Sequence, residues 1–129
     1  MQTMSFMLTR TQILAQTKFV TRRNGWLNLM IGDVVQPVHK RMGLKLAEKV
    51  QKLGPPIVVL HVRREPLHML YAGRYGAEEC ILEGFPDLTP SEFIAMYCAS
   101  HRGTTVDSVV TRIWFDYLPK KVLAFLTKP

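Results

Sequence analysis

The chain has 129 residues, 47% of them hydrophobic, with seventeen Lys and Arg against ten Asp and Glu, a formal charge of +7 and a pI near 9.7. That length suits one domain with a core of its own, and the composition excludes a disordered chain. The positive field favours polyanions or acidic surfaces as partners, and no stretch is long and apolar enough to read as a membrane span.

The segment from Met1 lacks the charged n-region of a leader, and Cys80 and Cys98 read as free thiols of a reducing cytosol. A cytoplasmic location is therefore expected. Thr9 and Gln12 read as a capping box with Leu8 and Ile13 as its staple, predicting a first helix that runs to about Gln16. Lys18-Phe19-Val20-Thr21-Arg22-Arg23 has the β-branched and aromatic character of a strand, closed by a turn at Asn24-Gly25. A further strand is expected over residues 33–38, with Pro37 marking an edge or the strand's end. Residues 43–56 read as a Lys-rich loop, and 57–63 as a plain β run.

One helix is expected over 77–82, ending near Gly84. Another opens at Thr89-Pro90-Ser91-Glu92, where Thr caps, Pro takes the first turn and Glu closes the box. Phe93, Met96 and Tyr97 form its apolar stripe. After a loop at 101–107, Val109, Thr111, Ile113, Phe115 and Tyr117 alternate with Val110, Arg112, Trp114 and Asp116, the period of a half-buried strand. The tail, 118–129, carries Val122, Leu123, Phe125 and Leu126 and is expected to dock on the core. Few strands, an early helix and a helical excursion before the last strand describe either a small α+β barrel or a plain mixed sheet.

Lys18-x-x-Thr21-x-Arg23 resembles the signature of ASCH domains, which belong to the PUA-like superfamily of barrels. The usual motif has Gly two residues before the Lys, where this chain has Gln16. Gly32-Asp33, Glu83-Gly84 and Thr111-Arg112-Ile113 are similar to the family pattern in the same order, roughly over residues 4–117. The resemblance implies one domain, an α+β fold built as a small PUA-like β-barrel with flanking helices. It also implies a partner, either RNA or a modified nucleoside bound in a basic cleft. Some small members are amidohydrolases that remove an acyl group from a modified cytidine, and some cleave RNA. In the amidohydrolases the Lys and Thr of this motif act with a downstream Glu; by position these are Lys18, Thr21 and Glu83.

The residue types suit that chemistry. A Thr hydroxyl is a poor nucleophile until a base takes its proton, and a Lys serves as that base when burial or nearby cations, here Arg22 and Arg23, lower its pKa. Glu83 falls at an expected helix end, with Glu79 one turn earlier. Both features disfavour its charge, as suits a general acid, and Lys18 is the cation expected opposite it. The plain alternative makes Glu79 and Glu83 an exposed acidic helix face.

Arg22, Arg23, Arg63 and Arg64, with Lys40 and Arg41, are the candidates for neutralising phosphates. Trp26 either stacks on a base or closes one end of the barrel. Arg112 either enters the cleft or reaches solvent. Cys98-x-x-His101 lacks further ligands at a zinc spacing and no Gly-rich phosphate loop is present, so neither metal nor cofactor is expected. A non-enzymatic module docking its basic face on another protein is the reading furthest from these.

Overall fold

A computed structural model describes residues 1–40 and 49–122. Its strands are β1 (Gln2–Ser5), β2 (Val20–Arg23), β3 (Val34–Val38), β4 (Ile57–Pro66) and β5 (Val109–Tyr117). A 3₁₀ turn (Met7–Thr9) leads into α1 (Arg10–Leu14), and a second (Leu67–Tyr71) precedes α2 (Gly73–Leu82) and α3 (Pro90–Ser100). The strands form one sheet in the order β1-β3-β4-β5-β2, parallel between β1 and β3 and antiparallel elsewhere. The fold is α+β with a five-stranded mixed sheet. Among the described residues no helix is long and apolar enough to cross a membrane.

The sheet does not close into the expected barrel. Its two edges, β1 and β2, are four residues each. Instead of a backbone ladder, side chains fill the seam: the Arg23 guanidinium lies 4.6 Å from the centre of the Phe6 ring.

Strand β1 escaped the sequence reading, although Met4 within it and Phe6 just past its end are buried while Gln2, Thr3 and Ser5 are not. The expected cap of α1 is absent as well. Thr9 makes no side-chain cap, Leu8 is exposed, and the Gln12 amide instead donates to the Gly84 carbonyl at 3.3 Å. Pro37 lies where β3 has passed the end of its ladder with β4, as its missing donor demands. The α3 capping box forms as read: Glu92 N–H donates to Thr89 Oγ1 at 3.2 Å and Thr89 N–H to Glu92 Oε1 at 3.0 Å.

Helix α2 begins four residues earlier than expected, because Gly73 and Gly76 argue against a helix locally. Packing requires Gly76: a Cβ there would stand 1.8 Å from the Leu70 carbonyl oxygen and 2.8 Å from Pro90 Cγ. Gly76→Ala should therefore destabilise the fold by about 1–3 kcal/mol, read as a lower denaturant midpoint.

Two apolar clusters divide the interior. Met4, Phe6, Ile13, Val35, Ile57, Ile113 and Phe115 pack on one face, with Trp26 and Phe19 against them. Leu67, Leu70, Cys80, Phe93, Ile94, Tyr97 and Val110 join α2 and α3 to the opposite face. The second layer explains why β5 keeps period two only in its last half. From Val110 to Ile113 every residue is buried, since the helices cover the face that would otherwise meet water; beyond that, Trp114 and Asp116 point out. The expected docking of the tail through Leu123, Phe125 and Leu126 lies outside the described residues, as do Arg41 and much of the 43–56 loop.

Candidate active site

Cross-strand register creates an electrostatic problem that fixes the site. Arg112 of β5 stands opposite Arg22 of β2 on one side and Arg63 of β4 on the other. Side chains of paired residues share a face, so three guanidinium groups form one row across the sheet, and like charges placed directly opposite repel. Carboxylates must answer them. Glu65 shares the face of Arg63 by the two-residue period of its strand, and Glu79 and Glu83 descend from one face of α2 and its C-cap.

The result is a buried ionic network centred on Arg22. Its guanidinium donates to Glu83 Oε2 at 2.9 Å, to Glu79 Oε1 at 2.5 Å and to Glu65 Oε1 at 3.2 Å. Arg112 grips Glu79 through two nitrogens. Lys18 Nζ donates to Glu83 Oε1 at 2.7 Å and to the Glu83 carbonyl at 2.9 Å. The Tyr75 hydroxyl, held by Glu65, is pushed up to about 12 by burial and by that carboxylate. Burial works against the Arg22 charge, but Glu83, Glu79 and Glu65 together more than offset it and hold the group above its ordinary value. Burial likewise disfavours the Glu79 carboxylate, and the Arg112 and Arg22 hydrogen bonds outweigh it, so Glu79 stays below the ordinary carboxylate value.

Lys18 differs. Burial lowers its pKa, the Glu83 carboxylate opposes that only in part, and Arg23 and Arg22 push in the same direction as burial. Its position is fixed from several sides: Tyr117 donates to its carbonyl at 2.6 Å, and Phe19 N–H donates to Leu82 O at 2.7 Å. Gly84 is essential to this junction. It adopts φ +95°, and a Cβ would stand 2.7 Å from Gln12 Cγ.

Lys18, Thr21, Arg23 and Glu83 line one cavity of about 200 Å³ in the seam between the end of β1 and β2. Its remaining walls mix rings (Phe6, Phe85, Phe93, Tyr97 and His101) with aliphatic and small polar side chains such as Leu8, Met96 and Ser100. Tyr97 and His101 stack with centroids 4.0 Å apart. The Thr21 hydroxyl accepts from Arg23 Nε at 3.3 Å, which leaves its own proton free to be taken.

No family model, curated protein or solved structure matches this chain. The site therefore rests on its geometry.

The three residues expected to carry chemistry converge. The six expected to bind phosphate or base do not act as a set. Arg22 and Arg112 are buried in ion pairs and unavailable to an RNA backbone. Arg63 bridges Tyr75 and Glu65 at the surface, and Arg64 donates to Thr111 Oγ1 at 2.7 Å. Trp26 is half-buried against the first apolar cluster and lines a second cavity; with no closed barrel, it has no barrel end to close. Only Arg23 faces the first cavity with Lys18 and Thr21 while remaining outside the ion pairs among the described residues. Glu79 and Glu83 are not an exposed acidic face; that description fits Glu78, which pairs with Arg74 in water. Glu65 was missed, though its place two residues after Arg63 on a strand could have shown it.

Proposed function

We propose that this is an ASCH-type domain, related to the PUA-like superfamily but built on an open five-stranded sheet, which hydrolyses the acyl amide of a modified cytidine-type nucleoside. The observation that carries the reading is that Lys18, Thr21 and Glu83 line one small cavity together with several aromatic rings. Its volume lies below the roughly 300–1,000 Å³ of sites for drug-sized ligands, which suits one planar base with a short acyl group. The charge balance favours a nucleoside over an RNA tract. Lys18, Arg22 and Arg112 are matched by Glu65, Glu79 and Glu83, so the cleft carries far less positive charge than its arginines suggest.

In the proposed reaction the free amine of Lys18 takes the Thr21 proton as Thr21 Oγ1 attacks the acyl carbonyl. The tetrahedral oxyanion forms near the Arg23 guanidinium. It collapses with cleavage of the C–N bond, and the exocyclic nitrogen takes the proton back from Lys18. Water, giving a proton to Lys18, then attacks the acyl-Thr21 ester; the ester C–O bond breaks, the acid leaves, and Thr21 regains its proton. Glu83 holds Lys18 at the cavity wall throughout. The nucleophile–base hydrogen bond is expected to form only with substrate bound, as is common for such sites.

Gln16 supports the family reading. It adopts φ +56°, the left-handed conformation that suits the Gly of the usual motif. Gln16→Gly should stabilise the protein by about 0.5–1 kcal/mol, seen as a raised denaturant midpoint with an unchanged slope.

The reading is tested by incubating the protein with an acylated cytidine and separating the products. Release of cytidine by the parent protein, and its loss in Lys18→Ala and Thr21→Ala, is the expected result; an intact nucleoside overturns it.

A further inference from the structure

We infer that the main chain of Arg22, at the open edge of β2, reads the base of the substrate: its N–H donates to the ring nitrogen N3, and its carbonyl accepts from the exocyclic N4–H. This rests on the nucleoside reading above and deepens it, naming the substrate as a secondary amide borne beside an unprotonated ring nitrogen.

The ladder of β2 on β5 fixes which groups face the seam. Val20 stands opposite Trp114, Thr21 opposite Ile113, Arg22 opposite Arg112 and Arg23 opposite Thr111. One step before, Phe115 N–H donates to the Phe19 carbonyl at 2.9 Å. Bonded and unbonded pairs alternate along an antiparallel ladder, so Thr21 and Arg23 turn their N–H and C=O to β5, whereas Val20 and Arg22 turn theirs to the other side. No strand pairs there, since β2 ends the sheet. Among the described residues neither main-chain group of Arg22 has a hydrogen-bond partner.

Exposure places these groups at the cavity. The Arg22 side chain is 0% exposed, spent on Glu83, Glu79 and Glu65, yet the residue as a whole is 3% exposed and lines the cavity with Thr21 and Lys18. Its main chain is what remains to reach that space. Val20, which shares this phase, is fully buried and is not among the walls.

An extended residue sets a donor beside an acceptor on one edge, and cytosine answers with N3, an acceptor, beside N4–H, a donor. Buried main-chain groups without partners are costly, so a ligand that meets both gains, and one that lacks either leaves a group unpaired. The chain order agrees with the proposed chemistry. With N4–H on the Arg22 carbonyl, the acyl carbon bonded to N4 lies beside Thr21, one residue back along the strand and about 3.8 Å away between Cα atoms. The three carboxylates that hold the Arg22 guanidinium fix this edge in advance, which limits the entropy lost on binding.

NMR titration of the nitrogen-15-labelled full chain with cytidine, 3-deazacytidine and N4,N4-dimethylcytidine tests this. Cytidine should move the Arg22 amide proton downfield and bind at least about tenfold more tightly than either analogue, since each analogue removes one of the two pairs. The Arg22 shift should be lost with 3-deazacytidine, which lacks the ring acceptor. The parent protein serves for every arm, so no folding defect enters. Equal affinities for the three ligands, an Arg22 amide that stays in place while cytidine moves other resonances of the cavity, or no binding by any of them would overturn the inference. The nucleoside reading stands or falls separately, on release of cytidine from its acylated form.

Discussion

Glu79→Ala should lower stability by about 3–5 kcal/mol, the scale for removing one partner of a buried ion pair. Glu79 is 2% exposed and is the principal acceptor for Arg112, whose next carboxylate, Glu65, stands at 3.9 Å. Without it two guanidinium groups face each other across β2 and β5 with too little negative charge between them. For a domain whose whole stability is on the order of 5–15 kcal/mol, that is a large share. Glu78→Ala, one residue away and exposed, should change stability by less than about 0.5 kcal/mol. Chemical denaturation of the two variants side by side separates a buried network from a solvated acidic face.

The same network sets an acid limit. Glu79 titrates below its ordinary value of 4.5 in the fold, so it binds fewer protons there than in the unfolded chain. Its contribution is therefore complete above pH 4.5 and lost progressively as the pH falls through the folded value. Acid unfolding of Glu79→Gln should lack this component.

The second large effect concerns the proposed reaction. Lys18→Ala should lower the rate of acyl transfer by about 100- to 10,000-fold, the usual contribution of a positioned base. The pH profile adds a readout that a structural role would not move. Because burial depresses Lys18 below its ordinary 10.5, the rate should rise with pH through a midpoint below that value. Glu83 raises the Lys18 pKa both by its charge and by its hydrogen bond. Glu83→Gln should therefore move the rising limb to lower pH, whatever it does to the maximum rate. A limb that stays in place would separate Lys18 from the reaction.

How much of this was legible depended on whether the determinant was local. The α3 cap could be read because Thr89, Pro90 and Glu92 satisfy neighbouring backbone groups. The α1 cap failed because Gln12 has a better partner in Gly84, seventy-two residues away. The second half of β5 alternates as its sequence does, whereas the first half is buried on both faces by helices that no strand pattern can announce. Lys18, Thr21 and Glu83, which line one cavity, were singled out in the sequence by a family resemblance and by simple acid–base chemistry. The fate of Arg22 and Arg112 could not, since it follows from the register of β2 on β5. Only once Arg22 is known to face Arg112 does the spacing of Glu79 and Glu83 on α2 become a requirement instead of a surface ornament. The contact of Phe6 with the Arg23 guanidinium, too, joins residues far apart in the chain.

Product release from an N-acylated cytidine, followed chromatographically for the parent protein and Lys18→Ala, bears most directly on the site. Cytidine and free acid appearing in equal amounts with the parent protein, and the signal falling at least a hundredfold in the variant, is the predicted outcome. Equal turnover by both proteins, or none by either, would contradict the assignment of an amine base to the seam of this sheet.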